Sequence, residues 1–222
     1  MLLKFWFAPA VTAAVFAVIQ LVGFGFYAGH VGDFTADGGF VDVARYVGYA
    51  ALLVVLWKNR GVLEKRSFRM FVFFAVAAVL REAGIQHWIA SRDTTAFKIR
   101  FFLNPYNPLH EKILAFVLLA AVGGLFVYAM VLWLIPAFKG FFEKYAGSWT
   151  VISLLSAGAL CKIADRLHGN LAKYGIQMPR EGAWFSFFEL MEESLEMMLP
   201  YLGIIAVLQF RADKKLFYPR GK

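Results

Sequence analysis

The sequence predicts an all-α, polytopic integral membrane protein with six transmembrane helices and both termini in the cytoplasm. Three observations carry that prediction. Hydrophobic residues make up 60% of the 222, and Phe alone occurs 24 times, more apolar surface than a soluble domain of this length buries. Six apolar stretches are long enough to cross a hydrocarbon core of about 30 Å. Lys and Arg are also distributed unevenly between the two sides that these stretches define.

The stretches run at about 5–29, 39–57, 68–90, 112–136, 148–170 and 184–210. The first follows a lysine, as a signal peptide does, but it is longer than a signal core and lacks a small-x-small cleavage site, so it reads as a helix. The second is the least apolar, because Asp42 and Arg45 lie in its first half, at a spacing that suits an i,i+3 ion pair. The fourth, Ile113 to Ala137, is uncharged and carries a Gly123-Gly124 pair suited to close packing. Trp57, Trp88, Trp149 and Trp184 fall near predicted span ends, as an interfacial belt requires. No repeat, long linker or low-complexity segment interrupts the chain, so residues 1–222 are expected to form one transmembrane helical domain.

Orientation follows from the basic residues. One side collects Lys4, Lys58, Arg60, Lys65, Arg66, Arg69, Lys139, Lys144, Arg211, Lys214, Lys215, Arg220 and Lys222. The other has Arg92, Lys98, Arg100, Lys112, Lys173 and Arg180. The richer side is assigned to the cytoplasm, which places the protein in the cell (inner) membrane. The same asymmetry accounts for the net charge of +8 without a nucleic-acid partner, since no basic-aromatic surface pattern is present. The single cysteine, Cys161, excludes an intrachain disulfide framework.

The functional signal is a stripe of acids. Glu189, Glu192, Glu193 and Glu196 lie in the sixth span, and at 100° per residue they fall within roughly 100° of one another on a helix. Carboxylates in hydrocarbon must be paired, protonated or bound to a cation. Other spans bring charge to a similar depth: Asp42 and Arg45 in the second, Arg81 and Glu82 in the third, Lys162, Asp165 and Arg166 in the fifth. At 1.5 Å per residue, Glu82 and Asp165 lie on the order of 10 Å below the outer surface. Spans 2, 3, 5 and 6 are therefore expected to surround a polar centre, leaving spans 1 and 4 to face lipid, a membrane protein partner or a second copy of the chain. All four histidines, His30, His87, His110 and His168, sort to the outer half, which argues against di-haem ligation at both faces.

Two function classes fit. In the first, the site opens to the periplasmic side and a divalent metal (Zn, Mn or Fe) serves a membrane hydrolase acting on a lipid or other amphiphile. Asp165, His168, Glu189 and Glu193 are the expected metal ligands, and Glu193, Glu196 and Glu82 the expected catalytic groups. Cys161, Asp165 and His168 share a face at i, i+4, i+7, although Cys161 reads more readily as a packing residue. Arg92, Lys98 and Arg100, interleaved with Phe97, Ile99, Phe101 and Phe102, are expected to bind lipid headgroups. In the second class, the acids exchange protons or ions in a coupled transporter or a membrane subunit of a larger complex, and Pro200 breaks the sixth span. A wholly structural ion-pair network, with Arg81, Lys162 and Arg166 neutralising carboxylates, is the simplest alternative to both.

Overall fold

The computed structural model describes residues 1–26, 31–36, 38–89, 96–175 and 182–213, and every regular element among them is helical. The elements are α1 (Phe7–Phe26), α2 (Val31–Thr35), α3 (Phe40–Lys58), α4 (Lys65–Glu82), α5 (Ile85–Ile89), α6 (Ile99–Leu103), α7 (Leu109–Phe142), α8 (Ala146–Lys173) and α9 (Ala183–Ala212). Among the described residues, five helical segments are long and apolar enough to cross a membrane: Phe7–Gly25, Val31–Lys58, Leu109–Phe142, Ala146–Leu167 and Ala183–Ala212. The predicted span over 68–90 is not one continuous helix. It is interrupted at Gly84, whose positive φ of 77° is the left-handed conformation that ends helices. The backbone N–H groups of Ala83 and Gly84 turn back to Val79 and Arg81 there, and the chain restarts as α5.

The chain divides into two compact units, one formed by Met1–Val62 with Pro136–Lys222, the other by Leu63–Ile135. In the first unit α9 is the central element, packed against α1, α2, α3 and α8. One apolar cluster joins Ile19 of α1, Val31 and Phe34 of α2 and Val41 of α3 to Leu190, Met197 and Met198 of α9. A second joins Ala8, Ala157, Cys161, Leu195 and Leu202, with Leu154, Leu199 and Ile205 packed against them.

Small residues let the helices approach closely, as membrane interfaces require. A Cβ on Gly48 would stand 2.8 Å from Pro200 Cγ and Tyr201 Cε2, while the Tyr201 hydroxyl donates to the carbonyl of Ala44 at 2.8 Å. At the far end of α9 the Thr150 hydroxyl donates to Gln209 Oε1 at 2.6 Å, and Gln209 Nε2 donates to the carbonyl of Leu2 at 2.9 Å. Those bonds satisfy a fully buried amide and tie the start of the chain to its last helix.

The second unit contains α4, α5, α6 and α7 up to Ile135. Phe71 meets Trp133, Phe74 meets Phe126, and the Arg66 guanidinium lies over the Tyr128 ring. Phe101 is buried with Ala96 and Ala115. Few residues of α7 are buried, and much of its apolar surface is exposed, as suits a helix whose solvent is lipid.

Replacing Gly48 by Val should destabilise the protein by about 1–3 kcal/mol through overpacking. Thermal unfolding in detergent micelles, followed by circular dichroism, measures it. Gly123→Ala, where an added Cβ meets nothing within 4 Å, should be neutral or slightly stabilising in the same assay.

Candidate functional site: a carboxylate and arginine centre around α9

The site begins at a glycine turn. Gly38 takes a positive φ of 81°, and a Cβ on Gly39 would stand 2.7 Å from the carbonyl oxygen of Phe34, so the chain turns sharply between α2 and α3. Asp42, in the first turn of α3, accepts the Gly38 backbone N–H at 2.9 Å through Oδ2. Its other oxygen, Oδ1, receives Arg45 Nη2 at 2.6 Å. The i,i+3 pair expected from the sequence is therefore present, and it also orients the guanidinium.

Arg45 then reaches across to α9. Its Nη1 lies 3.1 Å from Glu193 Oε2 and 3.0 Å from Glu196 Oε2. The Arg45 and Glu196 side chains are only 8% and 7% exposed, so the pair is stripped of solvent and every contact matters. Glu196 turns its second oxygen, Oε1, toward α8, where Lys162 Nζ stands 3.3 Å away. Lys162 also meets Asp165 Oδ2 at 3.4 Å, and both of those side chains are partly exposed. Glu189, nearer the start of α9, receives the Thr35 hydroxyl at 2.9 Å through Oε1.

The glutamate stripe thus faces protein: α2 at Glu189, α3 at Glu193, and α3 and α8 together at Glu196. The 100° arithmetic explains the division. Glu193 and Glu192 sit at opposite edges of the stripe, and Glu196 lies between them. In these contacts Arg45 bridges Asp42, Glu193 and Glu196, and Lys162 bridges Glu196 and Asp165.

On the Glu192 edge, the Cys161 sulfur and one carboxylate oxygen each from Glu192 and Glu196 lie within 4.8 Å of one another. Glu192 and Cys161 share no member with the metal set expected from the sequence. Of that set, Asp165 is placed on Lys162, Glu189 on Thr35 and Glu193 on Arg45, while the His168 side chain lies outside what is described. Cys161, expected to be a packing residue, does sit in the apolar cluster with Leu195 and Leu202. The signal that marks it as a ligand candidate is its register on α8, opposite Glu192 and Glu196. Glu82, expected to be catalytic, belongs to the second unit, where Arg81 Nε meets its Oε1 at 3.6 Å. Lys98 and Arg100 also belong to that unit, and Arg92 lies outside the described residues. A cavity of about 400 Å³ in the first unit is lined by Gln20, Leu21, Phe24, Gly25 and Phe187, none of which belongs to the charged group.

The donor set passes a chemical test for a divalent cation with one qualification. Thiolate and carboxylate together suit Zn and other borderline ions, and three protein ligands leave a position open, as catalytic zinc sites do. Zinc bonds of about 2.0–2.3 Å place ligand atoms about 3.3–3.8 Å apart, so the three groups would have to close in by up to about 1.5 Å. Lys162, half-exposed, stands beside that set through its contact with Glu196 Oε1.

No protein-family profile matches the chain, and no curated protein or solved structure is significantly similar to it. What the fold and the site define is a class: an all-helical protein with several helices suited to crossing a membrane, carrying a buried charged centre between three of them.

Arg45→Met should destabilise the first unit by about 3–5 kcal/mol, because it strands buried carboxylates. Adding Glu196→Gln to that variant should recover part of the loss. Equilibrium unfolding in mixed detergent, run as a double-mutant cycle, checks both. Purely additive costs would show that the two side chains do not interact.

Proposed function

We propose that the chain is a multi-pass protein of the cell (inner) membrane whose centre between α3, α8 and α9 holds a divalent cation and uses it in hydrolysis of a lipid or other amphiphile. The observation that carries the proposal is the convergence of Cys161, Glu192 and Glu196 to within 4.8 Å, beside the ion pairs that Glu196 makes with Arg45 and Lys162. A bound cation would supply a polarising charge and an activated water. The chain's own residues do the rest. Arg45 fixes Glu193 and Glu196, Asp42 fixes Arg45, and Lys162 and Asp165 stand at the exposed margin, where a polar headgroup could be met.

A one-sided site is favoured over a transport path by the apolar cluster around Leu195, Leu199, Leu202 and Ile205. It separates the charged centre from the buried Thr150–Gln209 pair. Buried acids and a proline inside α9, Pro200, are the features that favour the alternative, a proton- or ion-coupled transporter. Pro200 has no N–H to donate to the carbonyl of Glu196, four residues earlier.

Metal content of the purified protein decides between these readings. Stoichiometric Zn, Mn or Fe should be found in the wild type and lost in Cys161→Ala and Glu192→Gln, while Asp165→Asn keeps it. A metal-free wild type with pH-dependent flux in liposomes would transfer the proposal to transport.

The proposed topology counts α4 as a sixth span, which puts both ends on the cytoplasmic side. Five spans would put them on opposite sides. An impermeant thiol reagent, applied to intact cells carrying a single added cysteine at either end, should therefore label neither terminus. Labelling of one alone would remove α4 from the spans.

A further inference from the structure

The second unit carries a surface unlike the lipid-facing flank of α7. Between Ile99 and Leu109, four large apolar side chains stand almost fully exposed: Ile99 at 78%, Leu103 at 76%, Tyr106 at 74% and Leu109 at 72%. Ile99 and Leu103, four residues apart on α6, lie within about 40° of each other. Phe101 lies on the opposite side and is fully buried with Ala96 and Ala115.

The segment is held in shape rather than left loose. Asn107 Nδ2 donates to the carbonyl of Phe101 at 2.8 Å, and the Tyr106 backbone N–H donates to Asn104 Oδ1 at 3.0 Å. Lys98 and Arg100 flank the apolar patch and are themselves exposed. His110 is exposed beyond it, and Glu111, the acid in this stretch, is buried.

Water would penalise so many apolar side chains in one patch, and hydrocarbon would penalise the two cations beside them. The headgroup layer satisfies both, with apolar side chains in the acyl boundary and cations at the phosphates. We infer that residues 98–109 form an interfacial docking surface for anionic phospholipid, with Lys98 and Arg100 contacting the headgroup phosphate and Ile99, Leu103 and Tyr106 the upper acyl chain. The surface belongs to the second unit and does not depend on the cation centre of the first.

The test uses the full chain in proteoliposomes of phosphatidylcholine. An environment-sensitive dye is attached at Tyr106→Cys, Cys161 being buried. Dye quenching by brominated phosphatidylglycerol is compared with quenching by brominated phosphatidylcholine at equal mole fraction. Both should quench, and phosphatidylglycerol should be enriched at the dye. Lys98→Glu with Arg100→Glu should abolish that preference, a change of about tenfold or more for two interfacial charges. Lys98→Arg with Arg100→Lys should keep it, which separates loss of charge from loss of fold. Quenching by neither lipid would overturn the inference, as would equal quenching by both or a preference that survives charge reversal. Loss of the preference in millimolar inorganic phosphate would assign the cations to free phosphate and overturn it too.

Discussion

Glu196 divides its two carboxylate oxygens between two neighbouring helices, Oε2 to Arg45 of α3 and Oε1 to Lys162 of α8. Much of the first unit depends on that division. A charge at this depth has no water to fall back on, so its partners must be within reach. The demand fixes the rotation of α9 about its axis, because the stripe must face both helices at once. The apolar contacts agree with it. Gly48 lets α3 close onto Pro200 and Tyr201, and Tyr201 returns a hydrogen bond to Ala44, the neighbour of Arg45. Polar pairing and steric fit specify the same register, and such consistency between levels is what makes a single arrangement stable.

Below the charged centre the protein becomes dry. Leu195, Leu199, Leu202 and Ile205 pack with α1 and α8, and beyond the Tyr201 hydroxyl the next polar feature along α9 is the amide of Gln209. At 1.5 Å per residue, Gln209 lies about 20 Å further along the helix than Glu196. The centre and the Gln209 pair are chemically separate. The first joins groups of opposite charge, and the second joins neutral groups whose donors and acceptors match. The neutral pair ties Leu2 to the end of α9.

The sequence made the acid stripe legible, because helical periodicity alone places Glu189, Glu192, Glu193 and Glu196 on one side of α9. It also made the Asp42–Arg45 pair legible, since both partners lie on one helix. What it could not show was that Arg45 turns onward to α9, because that contact depends on which helices are neighbours and spans about 150 residues of chain. Asp165 and Cys161 share a face of α8, and periodicity does not say which of them meets the stripe. The structure seats Cys161 opposite Glu192 and Glu196 and leaves Asp165 at the margin. Five of the expected spans were recognisable from length and apolarity. The stretch over 68–90 is apolar on both sides of Gly84, and the left-handed turn that divides it into α4 and α5 weighs little in a hydropathy average.

The local pairing of Asp42 with Arg45 has a bearing on how the molecule is made. Synthesis delivers α3 well before α9, so Arg45 is made long before the Glu193 and Glu196 that it later meets. Asp42, three residues away, can neutralise it as soon as α3 is helical. Asp42 thus acts as a chaperoning counter-ion, keeping the guanidinium accompanied until the late helix arrives to share it.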